Sequence, residues 1–349
     1  MKFDINAITR KNVRELKPYN TARDDFKGVA TVYLDANENP YPTEFNRYPD
    51  PKQNALKSEI SKLKQLDPLQ IILGNGSDEI IDLLIRAFCE PGIDNVIIPQ
   101  PTYGMYSVCA AINNVETKLP ELSIDFDLDI QNINAYLNDK SKIIFLCSPN
   151  NPSGNLLEQD KIKSLLQSFS GIVVLDEAYI DFADSDGWIT SLIDYPNLFL
   201  LQTFSKAWGL AGLRLGVGYG SKEIIQILNK IKPPYNINSI TQNIALTEVK
   251  KDNPITEWVD TLKNERRILE VLLNQFSFVE KVYPSQTNFL LVKMINAKAC
   301  YQHLLTKGII VRDRSSVIHC DNCLRITVGT PNENKELINT LYDFQNINL

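Results

Sequence analysis

The residues with the clearest chemical potential lie in a glycine-rich stretch from Thr203 to Gly220, TFSKAWGLAGLRLGVGYG. Lys206 stands in this stretch, and Arg214 follows eight residues later. A lysine amine can form a Schiff base with an aldehyde, and a guanidinium can bind a phosphate through two parallel hydrogen bonds. The pair suits a cofactor that carries both groups, and we interpret Lys206 as a pyridoxal phosphate lysine. Because most single lysines are solvated surface residues, this interpretation depends on partners elsewhere in the sequence.

Two such partners lie at and just after the end of the apolar run GIVVLD, which has the pattern of a buried strand. Asp176 ends that run, and Tyr179 comes three residues later. A carboxylate here could keep a pyridine nitrogen protonated, and a phenol could hydrogen-bond the O3' hydroxyl of the cofactor ring. The structural alternative for Asp176 is a helix N-cap or a turn residue, which is a common role at strand ends.

Two glycine-containing loops supply further candidates. Asn151 opens NPSG after the apolar run KIIFLC, where a turn is the default interpretation, but its amide could also donate a hydrogen bond beside the ring. Gly76, Ser77 and Asp78 start a predicted helix, with Ser77 as its N-cap, and the free backbone N–H groups there form an anion seat. Glu79 stands where a dinucleotide-binding fingerprint needs its third glycine, which disfavours a Rossmann NAD site.

The composition is that of a globular protein with an acidic charge balance. The 349 residues include 36 basic and 42 acidic side chains, giving a formal net charge of -6. Proteins that bind nucleic acids or anionic membranes usually carry a basic patch, so we expect neither kind of partner. No apolar run reaches membrane-spanning length, and the charged start MKFDINAITRKNVRELK lacks the apolar segment of a signal peptide. We therefore expect a cytoplasmic protein.

Six cysteines are scattered along the chain, and His319, Cys320 and Cys323 form an HCxxC sequence. Half of a zinc site or a redox pair would use this spacing, but no second pair stands at ligand spacing. Thiols near a turn are the favoured interpretation, and we expect no metal.

Helical and strand patterns alternate along the chain, which is typical of an α/β protein. Apolar periodicity predicts helices over 52–66, from residue 77 onward, and over 239–276 with a break near Pro254. Apolar runs predict strands at 71–73, 95–99, 115–119, 142–147, 171–176, 197–203 and 213–219, and later near 288–293 and 324–328. Their continuous apolar character suits a sheet covered on both faces. Because ligands collect beyond the carboxyl ends of strands in such sheets, we expect the candidate residues to form one site there.

The length and pattern predict two domains. The larger one, over residues 30–250, would bind the cofactor. The smaller one would combine residues 251–349 with an N-terminal arm, residues 1–29.

The chain resembles the fold-type I pyridoxal phosphate enzymes, the large aminotransferase superfamily. The resemblance lies in three motifs that occur in this order: NPxG, DxxY, and SK with an arginine eight residues after the lysine. Within it, the sequence resembles the histidinol-phosphate aminotransferases over essentially its whole length. The segments that carry this likeness are NVRELKPY (12–19), LDANENPYP (34–42), NRYPDP (46–51), LLIRAFCEPG (83–92), PQPTYGMYSV (99–108), IIVRDRS (309–315) and CLRITVGT (323–330). The resemblance implies a large domain with a mostly parallel central sheet covered by helices, plus a smaller α+β domain.

The resemblance also implies how pyridoxal 5'-phosphate would be held. Lys206 would carry the Schiff base, Asp176 would pair with the pyridinium nitrogen, and Tyr179 and Asn151 would bond O3'. Tyr103 would stack on the ring. The phosphate ligands would be Gly76, Ser77, Asp78, Thr203, Ser205 and Arg214.

Substrate binding and assembly are implied in the same way. Arg325 would clamp the α-carboxylate of glutamate or the phosphate of the second substrate, and Arg312 and Tyr19 would hold the phosphate end of histidinol phosphate. Tyr48 would reach the cofactor phosphate from the partner subunit, which implies a homodimer. Without the resemblance, the arginines could be surface ion pairs and the tyrosines packed aromatics.

Three alternatives stay open at this point. An aromatic amino acid aminotransferase or a threonine-phosphate decarboxylase would share the same cofactor chemistry. A catalytically idle cofactor-binding regulator would usually carry a fused DNA-binding domain, and we expect the chain to begin too close to the enzyme-like region for one. A hydrolase is disfavoured because no GxSxG sequence occurs.

Overall fold

The computed structural model of the chain describes residues 3–19, 21–25, 28, 30–251 and 254–348. Its α-helices are α1 (Ile5–Ile8), α2 (Lys11–Glu15), α3 (Ala22–Asp25), α4 (Asn54–Lys64), α5 (Ser77–Phe88), α6 (Met105–Ile112), α7 (Ile130–Tyr136), α8 (Gln159–Ser168), α9 (Lys222–Ile231), α10 (Ser239–Val249), α11 (Pro254–Leu273), α12 (Ala297–Thr306) and α13 (Pro331–Asn348). Its strands are β1 (Ile71–Asn75), β2 (Asn95–Ile97), β3 (Glu116–Lys118), β4 (Ser141–Cys147), β5 (Ile172–Asp176), β6 (Leu198–Thr203), β7 (Leu215–Gly220), β8 (Val279–Val282), β9 (Phe289–Met294), β10 (Arg312–Asp313) and β11 (Cys323–Thr327). Within these ranges, no helix combines the length and apolar character that crossing a membrane requires.

The larger sheet contains seven strands in the order β1-β7-β6-β5-β4-β2-β3. The neighbours from β6 to β3 run parallel, whereas β7 pairs antiparallel with both β6 and β1. Alternate residues of β5 enter two separate cores, with Val173 and Leu175 in one and Ile172 and Val174 in the other. A strand buried on both faces needs apolar residues at successive positions, which explains the run IVVL and confirms the predicted covered sheet.

The smaller sheet contains four antiparallel strands in the order β10-β11-β9-β8. One face packs against α11, α12 and α13 and buries Leu290, Val292 and Leu324. On the opposite face, Leu291 and Cys323 join the core of the larger sheet. This second face of β9 and β11 therefore turns toward the larger sheet.

The described part of the N-terminal arm packs beside α5 and α9. Ile8 and Val13 are buried in the core that contains these two helices, and the Arg10 guanidinium donates to the Arg86 carbonyl at 2.9 Å and to Glu90 at 3.2 Å. The arm thus contacts the helices of the larger sheet. The division into domains at residues 30 and 250 stays a prediction.

The predicted strands lie within two residues of the observed bounds at each end, and so does the helix predicted over 52–66, which spans Asn54–Lys64 because Gln53 and Gln65 at its ends have left-handed backbone. One local prediction was wrong. The N-cap of α5 is Gly76 and not Ser77, because Gly76 has φ 80 and ψ 163, a conformation that glycine alone adopts without strain. The strands β8 and β10 had no sequence signal, because both are short and charged.

Candidate functional site

The carboxyl ends of β4, β5 and β6 meet at one edge of the larger sheet and open into a cavity of about 100 Å³. Ten predicted residues line this cavity together with Cys147 and Ala178: Ser77, Asp78, Tyr103, Asn151, Asp176, Tyr179, Thr203, Ser205, Lys206 and Arg214. Parallel neighbouring strands bring their ends together in this way, although the residues are far apart in the chain. The structure thus brings these ten residues, each predicted to bind the cofactor, to one cavity.

Asp176 is a buried carboxyl at the end of β5. Its Oδ2 accepts a hydrogen bond from the Tyr106 phenol at 2.6 Å, and its Oδ1 accepts one from the Ala178 backbone N–H at 3.0 Å. Burial raises the pKa of Asp176 to about 6, although both hydrogen bonds oppose that rise. A buried carboxylate of this kind gains stabilisation from a cationic partner in the cavity.

Lys206 brings an amine to the same cavity, from the loop that follows β6. Its Nζ lies 5.5 Å from the centroid of the Tyr179 ring. The residue keeps part of its surface open to solvent, yet surrounding protein desolvates the amine and lowers the pKa of Lys206, and the charge of Arg325 lowers it further. A lowered pKa favours the neutral amine, the form that can act as a nucleophile and as a base.

The N-terminus of α5 forms one wall of the cavity. Gly76 offers no side chain to accept the first N–H groups of the helix, so these donors remain for an anion. The Arg214 guanidinium lies 3.6 Å from Asp78 and 3.5 Å from the Ser205 hydroxyl. The backbone of Gly76, with φ 80 and ψ 163, favours glycine at this position, and an added Cβ would also lie 2.8 Å from Arg214 Nη2, so the guanidinium would have to shift.

Tyr103 closes another side of the cavity. Its phenol donates to Asp78 at 3.1 Å, which fixes the ring beside the α5 terminus. An aromatic ring that lines the cavity in this way can stack on a planar ring bound there.

Arg325 extends from β11 toward the cavity. Its Nη1 donates to Asn151 Oδ1 at 2.6 Å, and its guanidinium carbon lies 5.2 Å from the centroid of the Phe289 ring. Because Arg325 can only donate, the Asn151 oxygen must face it, which leaves the Asn151 NH₂ group for other acceptors. Arg325 Nε is buried and has no hydrogen-bond partner among the described residues.

Two further arginines belong to the same face of the smaller sheet. Arg312 pairs directly opposite Arg325 in the ladder, and the Arg314 N–H donates to the Cys323 carbonyl at 2.9 Å. Residues two apart on a strand share a face, so Arg312, Arg314 and Arg325 lie on the side that turns toward the larger sheet. Arg314 was not singled out in the sequence, because only the register shows that it accompanies Arg312.

Tyr19, Tyr48 and Arg312 do not line the cavity of their own chain. Tyr48 stacks on Tyr235 with ring centroids 4.5 Å apart, and both Tyr19 and Arg312 are exposed. Their predicted roles stay predictions.

The HCxxC sequence lies in the loop that leads into β11. The Cys320 and Cys323 thiols are free and buried, and the Cys323 N–H donates to the Cys320 carbonyl at 3.0 Å in a turn. His319 Nε2 lies 3.3 Å from Glu121. No group of three potential ligands in the described part of the chain is placed to hold a metal ion.

The residues around the cavity fit pyridoxal phosphate. The Lys206 amine can bind its aldehyde, Asp176 can face its ring nitrogen, and the α5 terminus with Arg214 can take its phosphate. Buried Asp176 is the strongest sign of this fit, because a cationic pyridinium would add to the favourable charge of Lys206 and offset the burial that raises the pKa of Asp176.

Comparisons with known proteins agree with this geometry. A family model described as aminotransferase class I and II matches residues 23–341. The chain is 53% identical over 346 residues to a histidinol-phosphate aminotransferase of Christiangramia forsetii, covering 99% of each protein. The histidinol-phosphate aminotransferase structure from Clostridium acetobutylicum has a TM-score of 0.80 at 27% identity, covering 88% of this chain and 92% of that one. A structure from Sinorhizobium meliloti of the same name, in complex with pyridoxal-5'-phosphate, has a TM-score of 0.79 at 24% identity, covering 87% of this chain and 84% of that one, and this likeness concerns the fold.

Proposed function

The chain belongs to the class I and II aminotransferase family, and on this premise we propose that it interconverts L-histidinol phosphate and 2-oxoglutarate with imidazole acetol phosphate and L-glutamate, in histidine biosynthesis. The cofactor is pyridoxal 5'-phosphate, which when bound supplies an aldehyde for the substrate amine and a ring that withdraws negative charge from the reacting carbon. The two substrates use one site in turn.

The proton transfers fall to residues of this chain. The Lys206 amine, with its pKa lowered by desolvation, would take the proton from the substrate Cα and deliver it to C4' of the cofactor. The Asp176 carboxylate, held by Tyr106 and the Ala178 N–H, would keep a proton on the ring nitrogen and so keep the ring positively charged. Tyr179 and the Asn151 NH₂ group, which both line the cavity, would donate hydrogen bonds to the ring oxygen.

The observation that carries the choice of substrate is the group of three arginines beside the cavity. Arg312, Arg314 and Arg325 share one face, and none of them forms an ion pair with a described residue. Burial lowers the pKa of Arg314, and the charge of Arg325 lowers it further, so the cations repel one another. A phosphate monoester offsets more of this positive charge than a single carboxylate does, which favours a phosphorylated substrate.

The proposed division of labour is that Arg325 meets an anion of both substrates and Arg314 meets the phosphate alone. In Arg314→Gln we expect KM for histidinol phosphate to rise by roughly 10- to 100-fold, the size of a lost hydrogen bond between charged groups. The reaction with glutamate should change by less than about threefold, because it lacks the phosphate. In Arg325→Ala both reactions should weaken.

Two controls sharpen this test. Arg267→Gln removes an exposed arginine of α11 and should leave both reactions unchanged. Unphosphorylated histidinol should respond little to Arg314→Gln. If Arg314→Gln weakens the reactions of glutamate and of histidinol phosphate equally, Arg314 does not bind the phosphate.

A homodimer is part of the same proposal. Between residues 30 and 48 the chain exposes Val32, Leu34, Tyr41 and Phe45, of which Leu34 is 87% exposed. An ion-pair group of Arg23, Glu38 and Arg47 holds this segment in place. Exposed apolar side chains on an ordered segment favour coverage by a second copy, which would bring Tyr48 to the partner's cofactor phosphate.

A further inference from the structure

Tyr106 is a buried side chain of α6 that touches the functional site through Asp176. Its phenol donates to Asp176 Oδ2 at 2.6 Å, and its ring stacks on Phe145 with centroids 4.9 Å apart and an interplanar angle of 10°. Tyr103 meets the same ring edge-on at 5.5 Å. Tyr106 has no exposed surface and does not line the cavity, so it has no direct access to a bound molecule there.

The contact has a fixed direction. An ionised carboxylate can only accept hydrogen bonds, so Tyr106 must be the donor. Burial raises the pKa of the Tyr106 phenol well above its usual value, and the charge of Asp176 adds to that rise. The phenol therefore keeps its proton and remains a donor throughout the working pH range.

The two hydrogen bonds fix the plane of the carboxyl group. Oδ2 is held by Tyr106 from one helix, and Oδ1 is held by the Ala178 N–H from the loop after β5. Packing of Tyr106 between Phe145 and Tyr103 locks the donor itself. A carboxylate held in this way cannot rotate away from the cavity without losing a buried hydrogen bond.

We propose that Tyr106 is a positioning residue that keeps the Asp176 carboxylate ionised and aimed at the ring nitrogen of the cofactor. The proposal depends on the pairing of Asp176 with that nitrogen, which is part of the proposed function. It does not depend on which amine is the substrate. Loss of the phenol would leave Oδ2 buried without a donor, so the carboxyl would tend to take up a proton and lose its charge.

The variant Tyr106→Phe tests this, because it keeps the ring and removes only the oxygen. Apoenzyme is titrated with pyridoxal phosphate and with the analogue in which C–H replaces the ring nitrogen. We expect the variant to bind pyridoxal phosphate roughly 10- to 100-fold more weakly than the parent, the loss expected for a hydrogen bond to a charged group. For the analogue, which has no ring nitrogen to pair with Asp176, the two proteins should differ by less than about twofold.

A matched control is Tyr219→Phe, which removes the phenol of a second fully buried tyrosine, on β7, that does not line the cavity. It should bind both compounds as the parent does. If Tyr106→Phe weakens pyridoxal phosphate and the analogue equally, Tyr106 supports only the fold and the proposal is wrong.

A second arm does not need the single variant to fold. In the Asp176→Asn background, addition of Tyr106→Phe should change the affinity for pyridoxal phosphate by less than about twofold, because the partner charge has gone. A further loss of tenfold or more in that background would mean that Tyr106 acts independently of Asp176. Both readouts measure cofactor affinity, so they separate this proposal from the choice of substrate.

Discussion

At the scale of single residues, burial makes two adjacent carboxyl groups weaker acids than usual. Burial raises the pKa of Asp176 to about 6 and that of Glu177 to about 7, although each accepts two hydrogen bonds. Asp176 lines the cavity, where a cationic ring can offset the free-energy cost of burying its charge. Among the described residues, the Glu177 carboxyl accepts hydrogen bonds only from the Gln202 amide at 2.9 Å and the Trp188 N–H at 2.7 Å, and Glu177 does not line the cavity.

Glu177 should therefore make the stability of the apoprotein depend on pH. Its pKa is raised in the folded state, so the folded form holds the proton more tightly than the unfolded form. The stabilisation is fully present below about pH 4, the unfolded value, and is lost as the pH rises through about 7. Urea unfolding at several pH values should show Glu177→Gln gaining on the parent over this window, by up to about 3 kcal/mol.

The comparison variant is Glu59→Gln, which removes a carboxyl of α4 that has an ion pair with Lys62 on the surface. Its unfolding free energy should not gain on the parent between pH 4 and pH 8. Parallel pH profiles for Glu177→Gln and the parent would contradict the assignment of a proton to buried Glu177.

The sequence predicted residues that line the cavity more fully than the residues behind them. Lys206, Asp176, Tyr179 and Arg214 all line it, and they were predicted as site residues because their order and spacing are chemical motifs, while their roles stay predictions. Tyr106 could not be predicted, since it contacts Asp176 across 70 positions of sequence and only the tertiary fold brings the two side chains together. Arg314 was missed for a related reason, since only the pairing of β10 with β11 places it beside Arg325.

At the scale of elements, the site depends on how closely α5 approaches β7. A Cβ on Gly216 would overlap the Ser77 backbone, and one on Gly76 would meet Arg214. Glycine at both positions lets the helix terminus and the guanidinium share one anion seat. The sequence predicted this seat, but it placed the N-cap at Ser77, because side-chain preferences for capping give no information on backbone strain at a neighbouring glycine.

Gly76→Ala should weaken cofactor binding. The substitution adds a Cβ 2.8 Å from Arg214 Nη2 and imposes a backbone conformation that costs a residue other than glycine about 1–3 kcal/mol. Titration of the apoprotein should show a loss of affinity for pyridoxal phosphate of roughly tenfold or more, together with a lower Tm.

Gly104→Ala is the matched control, since a Cβ there meets nothing within 4 Å and its φ of -66 suits any residue. It should leave both cofactor affinity and Tm close to those of the parent. Unchanged affinity in Gly76→Ala would exclude the α5 terminus as the seat of the cofactor phosphate.

At the scale of the whole molecule, the predicted α/β fold with two sheets is confirmed, and the proposed assembly extends it. The antiparallel register of β10 and β11 could not be predicted, since β10 has only two residues and both are charged. The partner subunit was predicted from the resemblance alone. The exposed aromatic residues of 30–48 follow no periodic pattern, so the sequence does not show which surface would cover them. The pairing of Tyr48 with a second copy is therefore tested directly by mixing subunits.

Hybrid dimers should restore activity if Tyr48 acts across the interface. Lys206→Ala loses the amine and Tyr48→Phe loses a hydrogen bond to the cofactor phosphate, so each variant alone should be weak. After mixing and refolding, half of the dimers are hybrids and one of their two sites is intact, so activity should recover to about a quarter of the parent value. No recovery in the mixture, with hybrids verified by tagged subunits, would place Tyr48 in its own subunit's site or outside any site.

The most direct test of the account is a keto-product assay on the purified chain with pyridoxal phosphate and 2-oxoglutarate. Histidinol phosphate, phenylalanine and threonine phosphate are offered in turn, and both glutamate and released carbon dioxide are measured. We expect glutamate to form with histidinol phosphate at a kcat/KM at least about a hundredfold above that for phenylalanine, the discrimination that an unpaired arginine site gives against a substrate without phosphate. Preferred turnover of phenylalanine, or carbon dioxide release from threonine phosphate without glutamate, would contradict the account.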